Sequence, residues 1–252
     1  MTDRLKLFCF PFAGATAAVY HRFRRYLPPR IDVVPVEMAG HGSRMKEPLI
    51  DSVSGHVDDL LPRLTDQMAA GPFAVFCHSV GTLLAFEVLH SLQEHEGIEP
   101  VHVFFSGRHT PDVPSKTSWH QAPDSVFLSM IRGFGGTSQQ VLDTPELVEL
   151  FTPILKSDYK VAETYEYAAP AELLHCPVTA VAGTRDPVVS AEQLRRWGEF
   201  TDGPFDVHQL PGGHFYWFDD VAPLCSILMR GLARPSSPDR STSARDGQVH
   251  QL

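Results

Sequence analysis

Short apolar runs alternate with amphipathic helical patterns along most of the chain. The runs at residues 5–10, 31–36, 73–77, 101–105, 178–181 and 205–210 are apolar, several rich in Val and Phe and bounded by Gly, Pro or Asp, as strands are. Between them, Val19, Tyr20, Phe23, Tyr26 and Leu27 share a helical face, and Val57, Leu60, Leu61, Leu64 and Met68 follow i, i+3, i+4, i+7 spacing. The stretch 81–94 is apolar at Leu83, Leu84, Phe86, Val88, Leu89 and Leu92, a broad face that suits a helix buried against the centre of a sheet. Ser190 with Gln193 makes a capping-box pattern ahead of Leu194, Trp197 and Phe200, and Val221, Leu224, Ile227 and Leu228 mark a last helix. Strand and helix in alternation predict an α/β fold, a mostly parallel sheet with helices on both faces.

Residues 111–170 break the alternation and carry helical periodicity only. Val126, Phe127, Met130, Ile131 and Phe134 form one stripe. Thr144 as N-cap with Pro145 at the first helical position opens another helix, carrying Leu147, Leu150, Phe151 and Ile154, and Gly133, Gly135 and Gly136 separate the two. The stripes can pack on one another, and the block is also expected to sit as a helical lid over a site and line it with apolar surface. Residues 234–252 are rich in Ser, Arg and Asp without an apolar period, so a disordered tail is expected there. That leaves residues 1–233 as one domain with an insertion.

Composition narrows the partners. The net charge of -9 argues against nucleic acid, because phosphate contacts need clustered Lys and Arg. The local run Arg22, Arg24, Arg25 and Arg30 reads as a solvated face. Cys9, Cys77, Cys176 and Cys225 are too scattered for a disulfide framework and read as free thiols in a reducing compartment. Neither a signal-peptide pattern nor an apolar run of membrane-spanning length is present, so a cytoplasmic protein with no membrane partner is expected, and nothing calls for more than a monomer.

The chemistry centres on Phe76-Cys77-His78-Ser79-Val80-Gly81, between an apolar strand and a helix. This is the setting of a nucleophile elbow, in which a serine sits on a strained strand-to-helix turn flanked by small residues. Gly81 fills the second small position; Cys77 replaces the first glycine and is expected to be tolerated with some strain. A serine hydroxyl needs a base oriented by an acid. Asp186, in Gly183-Thr184-Arg185-Asp186-Pro187, and His214, in Pro211-Gly212-Gly213-His214, follow in that order, each after a strand, where open α/β sheets gather functional groups. Taken singly, Asp186 reads as a turn residue and His214 as a loop residue; the ordered triple makes Ser79, Asp186 and His214 the candidate triad.

Among other histidines, His78 is expected to pack or hydrogen-bond near the elbow, and His41 to be a solvent-exposed loop residue. His109 precedes the insertion and has no clear role. The Cys77 thiol, on a strand, should be buried and unreactive. For a developing oxyanion, the backbone N–H of Val80 is one candidate donor and that of Phe12 or Ala13, after the first strand, the other; Pro11 has none to give. No metal-ligand or nucleotide-binding pattern appears, so no cofactor and no metal are implied.

At this point the segments LFCFPFAGA, MAGHGSRMKEP, GPFAVFCHSVGTLLAFE, VHVFFSGRHTP, GTRDPVVS and GPFDVHQLPGGHFYW, in that order, resemble the type II thioesterases that accompany polyketide and nonribosomal peptide synthetases. The elbow there is usually Gly-His-Ser-Met-Gly, from which Cys77 and Val80 depart. The resemblance implies an α/β-hydrolase fold and hydrolysis of acyl groups from the phosphopantetheine arm of carrier-protein domains, clearing stalled or misprimed intermediates. A generic carboxylesterase of the same fold and a non-catalytic carrier-protein binder are the competing readings.

Overall fold

The computed structural model describes residues 4–233, so the tail expected at 234–252 lies outside the described residues. Six strands, β1 (Leu5–Phe10), β2 (Ile31–Pro35), β3 (Phe73–His78), β4 (His102–Ser106), β5 (Val178–Gly183) and β6 (Phe205–Leu210), form one sheet in the order β2-β1-β3-β4-β5-β6. Every neighbouring pair is parallel. The chain leaves β1 towards β2 on one side and then returns to build β3 to β6 on the other, so the strand order reverses at β1. The crevice above such a reversal is where doubly wound sheets bind ligands.

Alternation along the strands divides the core in two. Phe8, Phe10, Val75, Cys77, Val103 and Phe105 point to one face, covered by α1 (Val53–Ala69) and α2 (Gly81–Glu96) through Leu60, Leu64, Leu84 and Val88. Leu7, Cys9, Ala74, Phe76 and Phe104 point to the other, covered by Tyr20, Phe23, Trp217 and the last helix, α7 (Ala222–Leu232). Each large apolar side chain buried this way is worth about 1.5–3 kcal/mol of transfer free energy. Ser190 and Gln193 make both bonds of the capping box in front of α6 (Ala191–Arg195).

Two helical expectations differ from the structure. The segment Ala17–Arg25 is a 3₁₀ helix in which Tyr20 and Phe23, three apart, fall on one buried line, whereas Tyr26 lies past its end and is 46% exposed. Between β4 and β5 the chain carries α3 (Asp124–Phe134), α4 (Gln139–Asp143) and α5 (Pro145–Glu163) and no strand. In α5 the buried face runs through Ile154, Leu155, Asp158 and Val161, whereas Leu150, in the expected stripe, is 46% exposed. Helix α5 packs against the short α4 and the turn at Trp119–Gln121, and its Leu155 meets Gly14 in the loop after β1.

Candidate active site

Ser79 occupies the turn from β3 into α2 with φ 57°, and it is the only described non-glycine residue with positive φ. Such a conformation costs on the order of 1–3 kcal/mol and persists where surrounding structure imposes it. Here the Ser79 N–H donates to the Ser106 carbonyl at 2.9 Å, and the Ser79 carbonyl accepts from the Thr82 hydroxyl at 2.7 Å. Gly81 is required two positions on, because a Cβ there would lie 2.5 Å from the Pro11 carbonyl oxygen. Cys77 meets no such obstacle. Its side chain is fully buried in the core with Sγ 3.4 Å from the Phe104 carbonyl, and burial pushes the thiol well above its usual pKa. The first glycine of the usual elbow is therefore dispensable in this backbone, and the thiol is inert.

His214, in the loop after β6, places Nδ1 3.0 and 3.1 Å from the two carboxylate oxygens of Asp186, which follows β5. The two loops are tied by their backbones: the Thr184 amide donates to the Leu210 carbonyl and the Arg185 amide to the Gly212 carbonyl, each at 2.8 Å. Asp186 Oδ1 also accepts from the Val188 amide at 2.9 Å. With Nδ1 facing a carboxylate, Nε2 is the ring nitrogen left to act as an acceptor.

Ser79, Val80, His214, Phe12 and Ala13 border one cavity of about 490 Å³. Most of its remaining wall comes from the helical block, with Trp119, Met130, Ile131, Phe134, Leu155 and Tyr159 among the apolar contributors. Among the described residues no hydrogen bond joins the Ser79 hydroxyl to His214, and the amides of Phe12, Ala13 and Val80 have no protein acceptor. Catalytic hydrogen bonds of this kind tighten when substrate is bound.

Behind His214, His78 packs and hydrogen-bonds near the elbow as expected, but its partners Ser106 and Tyr216 were not read from the sequence. His78 Nδ1 is 2.8 Å from the Ser106 hydroxyl, which is 2.8 Å from the Tyr216 hydroxyl, and the His78 ring lies 4.8 Å from that of His214. Burial, reinforced by the neighbouring His214, holds the His78 pKa far below its usual value, so the ring stays neutral. His41 is corrected from an exposed loop residue to a buried one, 2% exposed, bonded to Asp158 of α5. Asp158 itself was overlooked, although a carboxylate in line with Leu155 and Val161 on an apolar helical face is a readable signal. Arg108, after β4, is buried in the cavity wall, where Nη2 donates to the Ala162 carbonyl at 3.2 Å, and desolvation lowers its pKa to about 10. His109 borders the same cavity. Among the described residues no group of three or more His, Cys, Asp or Glu is placed to hold a metal ion, and no helix is long and apolar enough to cross a membrane.

A parallel sheet with helices on both faces and a serine at the turn between its third strand and the following helix defines an α/β-hydrolase. Within that class the chain belongs to the thioesterase domain family, which matches residues 5–230. Thioesterase PikA5 of Streptomyces venezuelae is 36% identical over 224 residues, covering 89% of this chain and 79% of the relative. Among solved structures, ClbQ from the colibactin NRPS/PKS pathway superposes with a TM-score of 0.87 at 32% identity, covering 91% of this chain and 97% of the other. The type II thioesterase BorB from the borrelidin biosynthetic cluster gives 0.83 at 33% identity, with 92% and 94% covered. The chain is thus a thioester hydrolase by family.

Proposed function

We propose that the protein is an editing thioesterase of a polyketide or nonribosomal peptide assembly line, releasing acyl groups from the phosphopantetheine arm of carrier-protein domains. Its named relatives from such pathways support this reading. In the proposed mechanism His214 Nε2 takes the proton of Ser79, whose oxygen attacks the thioester carbonyl. The amide of Val80, with that of Phe12 or Ala13, stabilises the oxyanion. The C–S bond breaks, the thiol leaves with the proton carried by His214, and an acyl-serine remains. Water deprotonated by His214 then attacks the ester, releasing the acid and restoring Ser79, while Asp186 holds the imidazole tautomer and balances its charge.

The observation that carries the proposal is the meeting, at one largely apolar cavity, of the strained Ser79, the Asp186-paired His214 and three unpaired backbone amides. The helical block at 111–170 acts as the lid that shapes the acyl pocket. A monomeric, cytoplasmic enzyme, formed by a single domain over residues 1–233, is part of the same proposal.

The test is hydrolysis of a small panel of acyl-loaded carrier proteins and of an acyl-pantetheine thioester against its oxygen ester. Turnover of the carrier-bound thioesters, abolished in Ser79→Ala with folding intact, is the expected result. Preference for the oxygen ester would make the protein a carboxylesterase. Absence of fluorophosphonate labelling in the folded native protein would make it a non-catalytic binder.

A further inference from the structure

We propose that Asp158 and His41 are positioning residues: as a buried ion pair they lock the loop after β1 against the helical block, and so set the amides of Phe12 and Ala13 beside Ser79. This rests on the reading of that loop as part of the oxyanion site.

The geometry joins three distant parts of the chain. Asp158 is 1% exposed, and its Oδ2 accepts from the Gly14 amide at 2.7 Å and lies 2.9 Å from His41 Nε2. Leu155, on the same face of α5, packs directly on Gly14: a Cβ there would sit 2.5 Å from Leu155 Cδ2, and the residue has φ +73°. Gly14 is thus gripped by the helix through both its amide and its bare α-carbon. Phe12 and Ala13 immediately precede it and border the cavity with Ser79 and Val80. A shift of Asp158 is passed to those two amides through one or two peptide units.

Counting protons makes the pair ionic. His41 Nδ1 lies 2.9 Å from the Ala39 carbonyl and Nε2 2.9 Å from the Asp158 carboxylate. With Asp158 as a carboxylate both neighbours are acceptors, and the ring that satisfies both carries hydrogen on each nitrogen, as an imidazolium. The other groups facing the pair agree. Glu37, whose oxygens accept from the Ala17 and Ser43 amides, adds a second negative charge near His41. His56 of α1 is buried with neither ring nitrogen bonded, and burial keeps its pKa low and the ring neutral. Burial opposes the charge on His41, but the hydrogen bond and charge of Asp158 outweigh it and its pKa is raised. A raised histidine pKa means the lock is complete at lower pH and is lost as pH rises through that value.

The test is the pH dependence of kcat and KM for an acyl-pantetheine thioester in wild type, Asp158→Ala and Asp158→Asn, with folding followed by circular dichroism. Alanine leaves Gly14 and His41 unpaired and is expected to lower kcat about tenfold to a hundredfold with KM within about threefold, the scale of a small misplacement of catalytic groups. Gly14 and His41 reach the same Asp158 oxygen, so asparagine with its Oδ1 in that place keeps the Gly14 bond but lacks the negative charge that holds His41 protonated; it should recover part of that loss and move the alkaline decline in kcat to lower pH. Wild-type kcat in Asp158→Ala, or an unchanged alkaline decline in Asp158→Asn, overturns the proposal, and the second readout decides alone if the alanine variant does not fold. Ser79→Ala distinguishes the two readings: activity there would overturn the hydrolase mechanism, whereas an inactive Ser79→Ala beside a fully active Asp158→Ala overturns the lock only.

Discussion

His214 and Asp186 form a forked pair, with Nδ1 nearly equidistant, at 3.0 and 3.1 Å, from the two carboxylate oxygens, and with side chains only 2% and 0% exposed. Both oxygens must be acceptors to hold the ring in this way, so the carboxylate selects the tautomer that leaves Nε2 open.

Asp186→Asn is the direct consequence. An amide can present N–H to Nδ1 and turn the ring to the wrong tautomer, so kcat is expected to fall about ten-thousandfold, the scale known when a triad carboxylate is replaced. Steady-state kinetics with an acyl-pantetheine thioester measures it, and a loss under tenfold would assign the acid role elsewhere.

Gly81→Ala should damage stability and turnover together. The added Cβ meets main-chain oxygens, those of Pro11 at 2.5 Å and Phe10 at 2.7 Å, which cannot swing aside as a side chain could. Overpacking of this kind costs about 1–3 kcal/mol. Urea unfolding reads the first effect; an alanine variant as stable as the parent would show that the elbow can open freely.

Cys77→Gly restores the usual elbow residue, yet no gain in rate is expected. The buried Cys77 side chain fills core space between β3 and α2, and glycine within a strand adds backbone entropy to the loss, for a total of about 1–3 kcal/mol. Parallel melting and kcat measurements check it; a faster variant would mean that Cys77 limits the elbow after all.

Acid should weaken the fold before the carboxylates titrate. Burial depresses the pKa of His78 and His56, and that of His90 to about 4. A depressed group binds its proton more readily when unfolded, so the native state loses stability as pH falls from about 6.5 towards 4, at up to about 1.4 kcal/mol per pH unit for each such ring. His41, with its raised pKa, acts in the opposite sense and its contribution fades on the alkaline side. Urea midpoints between pH 8 and pH 5 should therefore decline towards acid, and a flat profile would contradict the assignment of neutral buried rings.

Much of the architecture was legible because its signals are local. Six apolar runs bounded by breakers marked the six strands, with ends that moved by only one or two residues, as β5 did in running on to Gly183. The elbow was readable because its backbone demands small residues around Ser79 at fixed offsets, and Asp186 and His214 because each follows a strand end. The face that α5 buries was not readable in this way. Periodicity states that a helix repeats, but the neighbour that arrives from elsewhere decides which side is covered, and Leu150 is exposed while Asp158 is sealed.

What the sequence determined by itself was the alternating α/β order, the helical interruption and the identity of the candidate reacting groups, since each rests on residues within a few positions of one another. Only the tertiary structure decided the state of His41 and the meeting of Asp158 with Gly14, partners 117 and 144 positions apart. A hydrogen bond depends on distance in space, and a side chain's charge depends on what shares its burial; both are fixed only when the chain has closed on itself.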